Sequence, residues 1–129
     1  MSALNENAIT RLATITAINA KVVATTLLYT VPPGKTFIPD HIVIRVTAFV
    51  NGGKTVQAVA SFGGNAATYD DYLKSVTYTV AAVDTWIRDS VEDAATAVQA
   101  AGDQFRISIE TGSDAATETW AVDLFGYLV

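Results

Sequence analysis

From Leu27 to Val50 the sequence reads LLYTVPPGKTFIPDHIVIRVTAFV, two apolar, β-branched runs on either side of Val31-Pro32-Pro33-Gly34-Lys35. Each proline holds the residue before it extended, so Val31 and Pro32 cannot join a helix. Pro33 presets φ for the second position of a turn, and Gly34 supplies the positive φ that a type II turn needs next. Beyond the turn, Ile42, Ile44, Val46, Ala48 and Val50 alternate with His41, Val43, Arg45, Thr47 and Phe49. A period of two places the first set on one face of a strand and the second, mixed set on the other. The stretch therefore predicts the central hairpin of an all-β domain.

The rest of the chain repeats this grammar. Alternation predicts strands over Arg11–Ile18, Val22–Val31 (with Val23, Leu27, Tyr29 and Val31 inward), Thr55–Phe62, Tyr72–Val80, Thr85–Arg88, Gln104–Thr111 and Thr119–Val129. In these, Ala58, Ala60 and Phe62, then Phe105, Ile107 and Ile109, then Trp120, Val122 and Leu124 form the inward sets, with Val56 and Leu128 extending the first and last of them. Pro39 marks a strand start, an edge or a bulge, because proline has no N–H for a ladder. Asn51-Gly52-Gly53-Lys54 is a hairpin-type turn. Asp89 to Ala101 reads either as a short helix capped by Ser90 or as a loop leading to a strand at Thr96–Gln99. The last strand is expected to be paired inside a sheet. Eight or nine short strands with turns about every ten residues are the pattern of an antiparallel β-sandwich. No amphipathic helix supports a parallel α/β alternative. Residues 1–10 read as a flexible N-terminal arm, and 11–129 as a single β-sandwich domain.

Composition narrows function mainly by exclusion. The 129 residues are 50% hydrophobic and 16% charged, an apolar excess that must enter a core or subunit contacts. Net charge is −5, and the eight basic residues are scattered, so no cationic stripe exists for nucleic acid or an anionic membrane. With no cysteine there are no disulfides, thiolate nucleophiles or cysteine-bound zinc. The N-terminus lacks a basic region followed by an apolar one, and no run approaches the about 18 apolar residues of a membrane span. Synthesis and assembly in a cytoplasm are expected.

Few residues invite a chemical reading. Ala48–Thr55, AFVNGGKT, loosely fits a phosphate loop, but a period-two strand follows where a helix must begin. His41, the only histidine, cannot build a multi-histidine metal site, and no nucleophile elbow accompanies it. Its expected role is structural, with pH sensitivity if it sits at a subunit contact. Asn65, Asp70 and Asp71, and separately Asp84, Asp89, Glu92 and Asp93, lack calcium-loop spacing, so solvated loop carboxylates are the default. Tyr69 and Tyr72, flanking Asp70 and following Asn65, form a possible ligand loop for a sugar or a protein. Trp86 and Trp120 lie in strands, where core burial is expected. No catalytic residue, metal or cofactor is assigned.

The run from Leu28 to Val46, with its L-Y-T-V-P and P-G-K-T-F segments, resembles small structural proteins of tailed-bacteriophage virions. In those, similar hairpins open a β-sandwich of jelly-roll or tumour-necrosis-factor-like type. Val98–Ile109, VQAAGDQFRISI, resembles the L-x-A-G-D-x-aromatic-x-aliphatic strand start near the end of the same proteins. Together these segments cover roughly a quarter of the chain. The resemblance implies a jelly-roll fold and a non-enzymatic virion protein. Within the virion it implies a capsid decoration (cement) protein acting as a homotrimer, a head fibre base, or a neck or tail component. The partners would be the chain itself and the major capsid protein or other virion proteins. On that reading Val43, Arg45, Thr47 and Phe49 form a subunit contact, and the arm residues Ser2, Leu4, Ile9 and Arg11 dock on the capsid. The rival is a carbohydrate-binding or receptor-binding head that uses the Asn65–Tyr72 loop.

Overall fold

A computed structural model describes residues 8–91 and 98–129, so Ser2 and Leu4 of the expected arm, Glu92, Asp93 and the start of the Thr96–Gln99 segment lie outside the described residues. The described residues form eight strands and no helix. The strands are β1 (Thr10–Asn19), β2 (Ala24–Thr30), β3 (Phe37–Val50), β4 (Ala58–Gly63), β5 (Leu73–Tyr78), β6 (Trp86–Asp89), β7 (Gln104–Thr111) and β8 (Thr117–Leu128). They make two four-stranded sheets of order β1-β8-β3-β6 and β2-β7-β4-β5, paired antiparallel throughout.

The pairings β1–β8, β2–β7, β3–β6 and β4–β5 fold the first half of the chain back along the second, with β3–β8 and β4–β7 completing the sheets. That is jelly-roll order. It corrects the expected central hairpin. β2 and β3 lie in different sheets, and so do β3 and β4. Both turns formed as read but join sheets rather than neighbouring strands. At the first, Lys35 N–H donates to Pro32 O at 3.2 Å and Gly34 has φ +74°. At the second, Lys54 N–H donates to Asn51 O at 3.1 Å. The residues between two extended runs fix the reversal, but the burial needs of both faces decide which strand pairs with which.

The core fills the space between the sheets. Ile42, Ile44, Val46, Trp120, Val122 and Leu124 of one sheet meet Ala58, Ala60, Phe62, Phe105, Ile107 and Ile109 of the other, all buried. Edge-to-face rings knit it: Phe37 with Phe105 at 5.5 Å, Phe62 with Tyr78 at 6.2 Å and Tyr78 with Trp120 at 5.9 Å.

Bulges break the period of two, and each break moves an expected face. In β2, Leu27 pairs with Arg106 and Tyr29 with Phe105, so Leu28 is an extra residue. Leu28 is buried, whereas Val23 and Leu27, expected inward, are exposed. In β3, Val46 pairs with Trp120 and Ala48 with Thr119, making Thr47 extra. The strand turns over there: Phe49 packs against the core and Val50 faces solvent. A third bulge, between Pro39 and His41, is one of the roles anticipated for Pro39. Val56, expected inward, precedes β4 and is exposed.

Candidate interaction surface

The outer face of the β1-β8-β3-β6 sheet carries an ordered, interlocked set of side chains. Register places His41, Val43 and Arg45 of β3 beside Phe125, Asp123 and Ala121 of β8. Arg88 and Trp86 of β6 flank Val43 and Arg45, while Arg11 and Thr14 of β1 flank Phe125 and Asp123. Asp123 is the hub. Its carboxylate accepts from Arg45 Nε at 3.1 Å, Arg45 Nη2 at 3.2 Å and Thr14 Oγ1 at 2.8 Å. Bidentate pairing of this kind fixes the guanidinium plane as well as its charge. The fixed Arg45 lies over the Trp86 ring, 5.6 Å from its centroid.

Trp86 is nevertheless 67% exposed, which corrects the expected burial; Trp120, the other tryptophan, is fully buried. Parity explains the difference. Ile87 pairs with Ile44 and packs against the core, so its neighbours Trp86 and Arg88 must point out. The charged Arg88, two residues on, is the signal in the sequence that marks this outward face.

At the other end of the face, His41 stacks on Phe125 with centroids 4.4 Å apart and rings 8° from parallel. Its Nδ1 is 2.7 Å from Asp40 Oδ2. Arg88 approaches the same carboxylate oxygen at 3.9 Å. Among the expected contact residues, then, Val43 and Arg45 stand together on this face, and Thr47 is exposed at its bulge. Phe49 is not with them; the bulge turns it to the other side. Of the arm residues, Ile9 is exposed, while Arg11 is a strand residue within β1 opposite Phe125.

The β4–β5 loop does not bring its tyrosines together. Tyr72 is buried, donates from its hydroxyl to Asp40 O at 2.8 Å, and packs near Phe105; burial pushes its hydroxyl pKa up to about 12. It cannot stack on a ligand, which removes the paired-tyrosine platform. Tyr69, at φ +49°, has Arg106 over its ring at 5.5 Å. Asn65 spends its amide on closing the loop: it accepts from Asp70 N–H and Asp71 N–H and donates to Thr68 Oγ1 and Asp70 Oδ1. Hydrogen bonds from the Asn65 and Thr68 side chains hold the Asp70 carboxyl below its ordinary value. Asp71 accepts from Gly64 N–H and Gln99 Nε2. The polar atoms suggested for a ligand thus hold the loop's own shape. Among the described residues, no group of three or more acidic or histidine side chains is arranged to hold a metal ion.

Sequence reading missed one polar cluster altogether. Lys54, part of the discarded phosphate-loop pattern, turns inward and places Nζ 2.7 Å from Glu118 Oε1 and 2.8 Å from Val80 O, 5.3 Å from the Phe49 ring. Ser113 Oγ and Trp120 Nε1 also donate to Glu118, at 2.8 and 2.9 Å. Every oxygen of this carboxylate is satisfied within the protein, so the cluster is a lock between loop and sheet.

No protein-family model matches the sequence, and no curated protein matches it in sequence. A search of solved structures finds a chain from the capsid of Ralstonia phage GP4, with a TM-score of 0.57 and 21% identity over 92% of this chain and 82% of that one. At that identity the likeness is one of fold. It extends over nearly the whole sandwich.

Proposed function

We propose that this chain is a non-enzymatic structural protein of a tailed-phage virion, a capsid decoration protein that works as a homotrimer. The observation that carries the reading is the eight-stranded jelly roll, aligned over 92% of its length with a chain of a phage capsid. The virion-protein resemblance of Leu28–Val46 and Val98–Ile109 supports it from the sequence side. Its partners are other copies of itself and the shell's major subunit, and nucleic acid is not among them. The clustered polar groups serve the fold: Lys54 and Glu118 satisfy one another in the interior, and Asn65 closes its own loop.

Two measurements test this. Light scattering on the purified protein at micromolar concentration should give the mass of three 13.6 kDa chains, about 41 kDa. Protein mass spectrometry of purified virions should find the chain in a fixed ratio to the major shell subunit. A stable monomer overturns the trimer, and absence from virions overturns the structural role.

A further inference from the structure

The outer face of the β1-β8-β3-β6 sheet has an unusual allotment of charge for this chain. Three of the four arginines, Arg11, Arg45 and Arg88, lie on it; the fourth, Arg106, is on the other sheet. No lysine or glutamate occupies a strand position there, and His41, Phe125, Tyr127 and Trp86 supply four aromatic rings. Arginine and aromatic enrichment with lysine and glutamate depletion is the composition of a protein–protein contact core. Opposing the three guanidiniums are two carboxylates, Asp40 and Asp123. The face is therefore net positive by one, and the remainder of a chain of net charge −5 carries −6.

We infer that this face, centred on Trp86 and Arg45, is the surface by which one copy of the chain grips a second copy, at a different and acidic surface of that copy. Charge complementarity sets the pairing. Two copies of a net-positive face repel when laid together, which disfavours a symmetric face-to-face dimer. At one end of the sandwich, the β4–β5 loop and the turn before β7 offer Asp70 and Asp103. A contact between unlike surfaces is heterologous, and it closes into a ring when the rotation between copies divides a full turn. Preorganisation adds to the argument. Thr14 donates to Asp123, Asp123 holds Arg45, and Arg45 lies over the Trp86 ring, so little side-chain freedom is lost on docking.

The inference rests on the homo-oligomer reading above and names its surface. The test uses the full chain and two variants at exposed positions, Trp86→Ala and Arg88→Glu, with sedimentation equilibrium as readout. Both variants should retain the wild-type circular dichroism spectrum and dissociate at least about tenfold more readily. The Arg88→Glu defect should be largest at low salt, because exposed charges are screened within about 10 Å at 0.1 M ionic strength. Trp86 offers a second readout. Iodide should quench its emission in monomers and lose access on assembly, while the buried Trp120 stays unquenched throughout. An oligomer whose dissociation is unchanged in both variants overturns this surface and leaves the oligomer reading intact. A wild-type protein that stays monomeric overturns both.

Discussion

Lys54 Nζ and Glu118 Oε1 lie 2.7 Å apart, with 3% and 0% of their side chains exposed. They come from a loop and a strand 64 residues apart and meet beneath Phe49 and beside Trp120. A buried pair contributes little net stability compared with a well-packed apolar substitute, but removing one partner strands the other charge. Lys54→Met should therefore cost about 3–5 kcal/mol. The double variant Lys54→Met, Glu118→Gln should recover a substantial part of it. Urea unfolding followed by fluorescence measures both. Equal stabilities for the single and double variants would contradict the stranded-charge account.

The two turn glycines should separate backbone cost from steric cost. Gly34 has φ +74° with nothing within 4 Å of an added Cβ, so Gly34→Ala should cost only the left-handed conformation, about 1–2 kcal/mol. Gly52 has φ +58°, and an added Cβ would sit 2.5 Å from the Ala116 Cβ. Gly52→Ala pays both terms and should be the more destabilising. The comparison of urea midpoints decides it, and a Gly34→Ala defect as large as that of Gly52→Ala would contradict the account.

Acid should act through Asp114. Its carboxylate accepts from Val56 N–H, Thr55 Oγ1 and Thr55 N–H, and those donors lower its pKa in the folded protein. A group with a depressed folded pKa contributes stability that is present above its unfolded value, about 3.9 for aspartate, and is lost as pH falls through the lower folded one. Stability should accordingly decline below about pH 4. The decline should be shallower in Asp114→Asn, read from urea midpoints as a function of pH; an identical acid slope would exclude this carboxylate.

At alkaline pH the signs reverse. Burial raises the hydroxyl pKa of Tyr72 to about 12 and raises those of Tyr78 and Tyr29 as well. Their protonated state favours the fold, so stability present below the unfolded tyrosine value near 10 is lost as pH climbs above it. Tyrosinate absorbance should show Tyr72 and Tyr78 withholding their signal until the fold opens. A full five-tyrosine rise at pH 11 with circular dichroism unchanged would contradict the burial of Tyr72 and Tyr78.

Much of the fold was legible because burial is written in alternation. Phe105, Ile107 and Ile109, or Trp120, Val122 and Leu124, need only a period of two to declare their face. What was hidden is what two distant segments decide together. Leu28 and Thr47 look like ordinary members of their runs; only pairing with β7 and β8 makes them extra residues and flips Leu27 and Phe49. The jelly-roll pairing is likewise invisible to turns, which report a reversal and not a partner. On the outer face of the β1-β8-β3-β6 sheet, Val43 and Arg45 were readable from parity, whereas Trp86 was expected in the core although Arg88, two residues on, marks its side as outward. The Asp123 hub was not, because no local rule links Thr14, Arg45 and Asp123.

The most direct test of the virion reading is binding to shells that lack this protein. Purified chain would be added in increasing amounts and the shells sedimented. Saturable co-sedimentation, with bound chain rising to a plateau in multiples of three, is the expected result. Chain that stays in the supernatant at every concentration would contradict it.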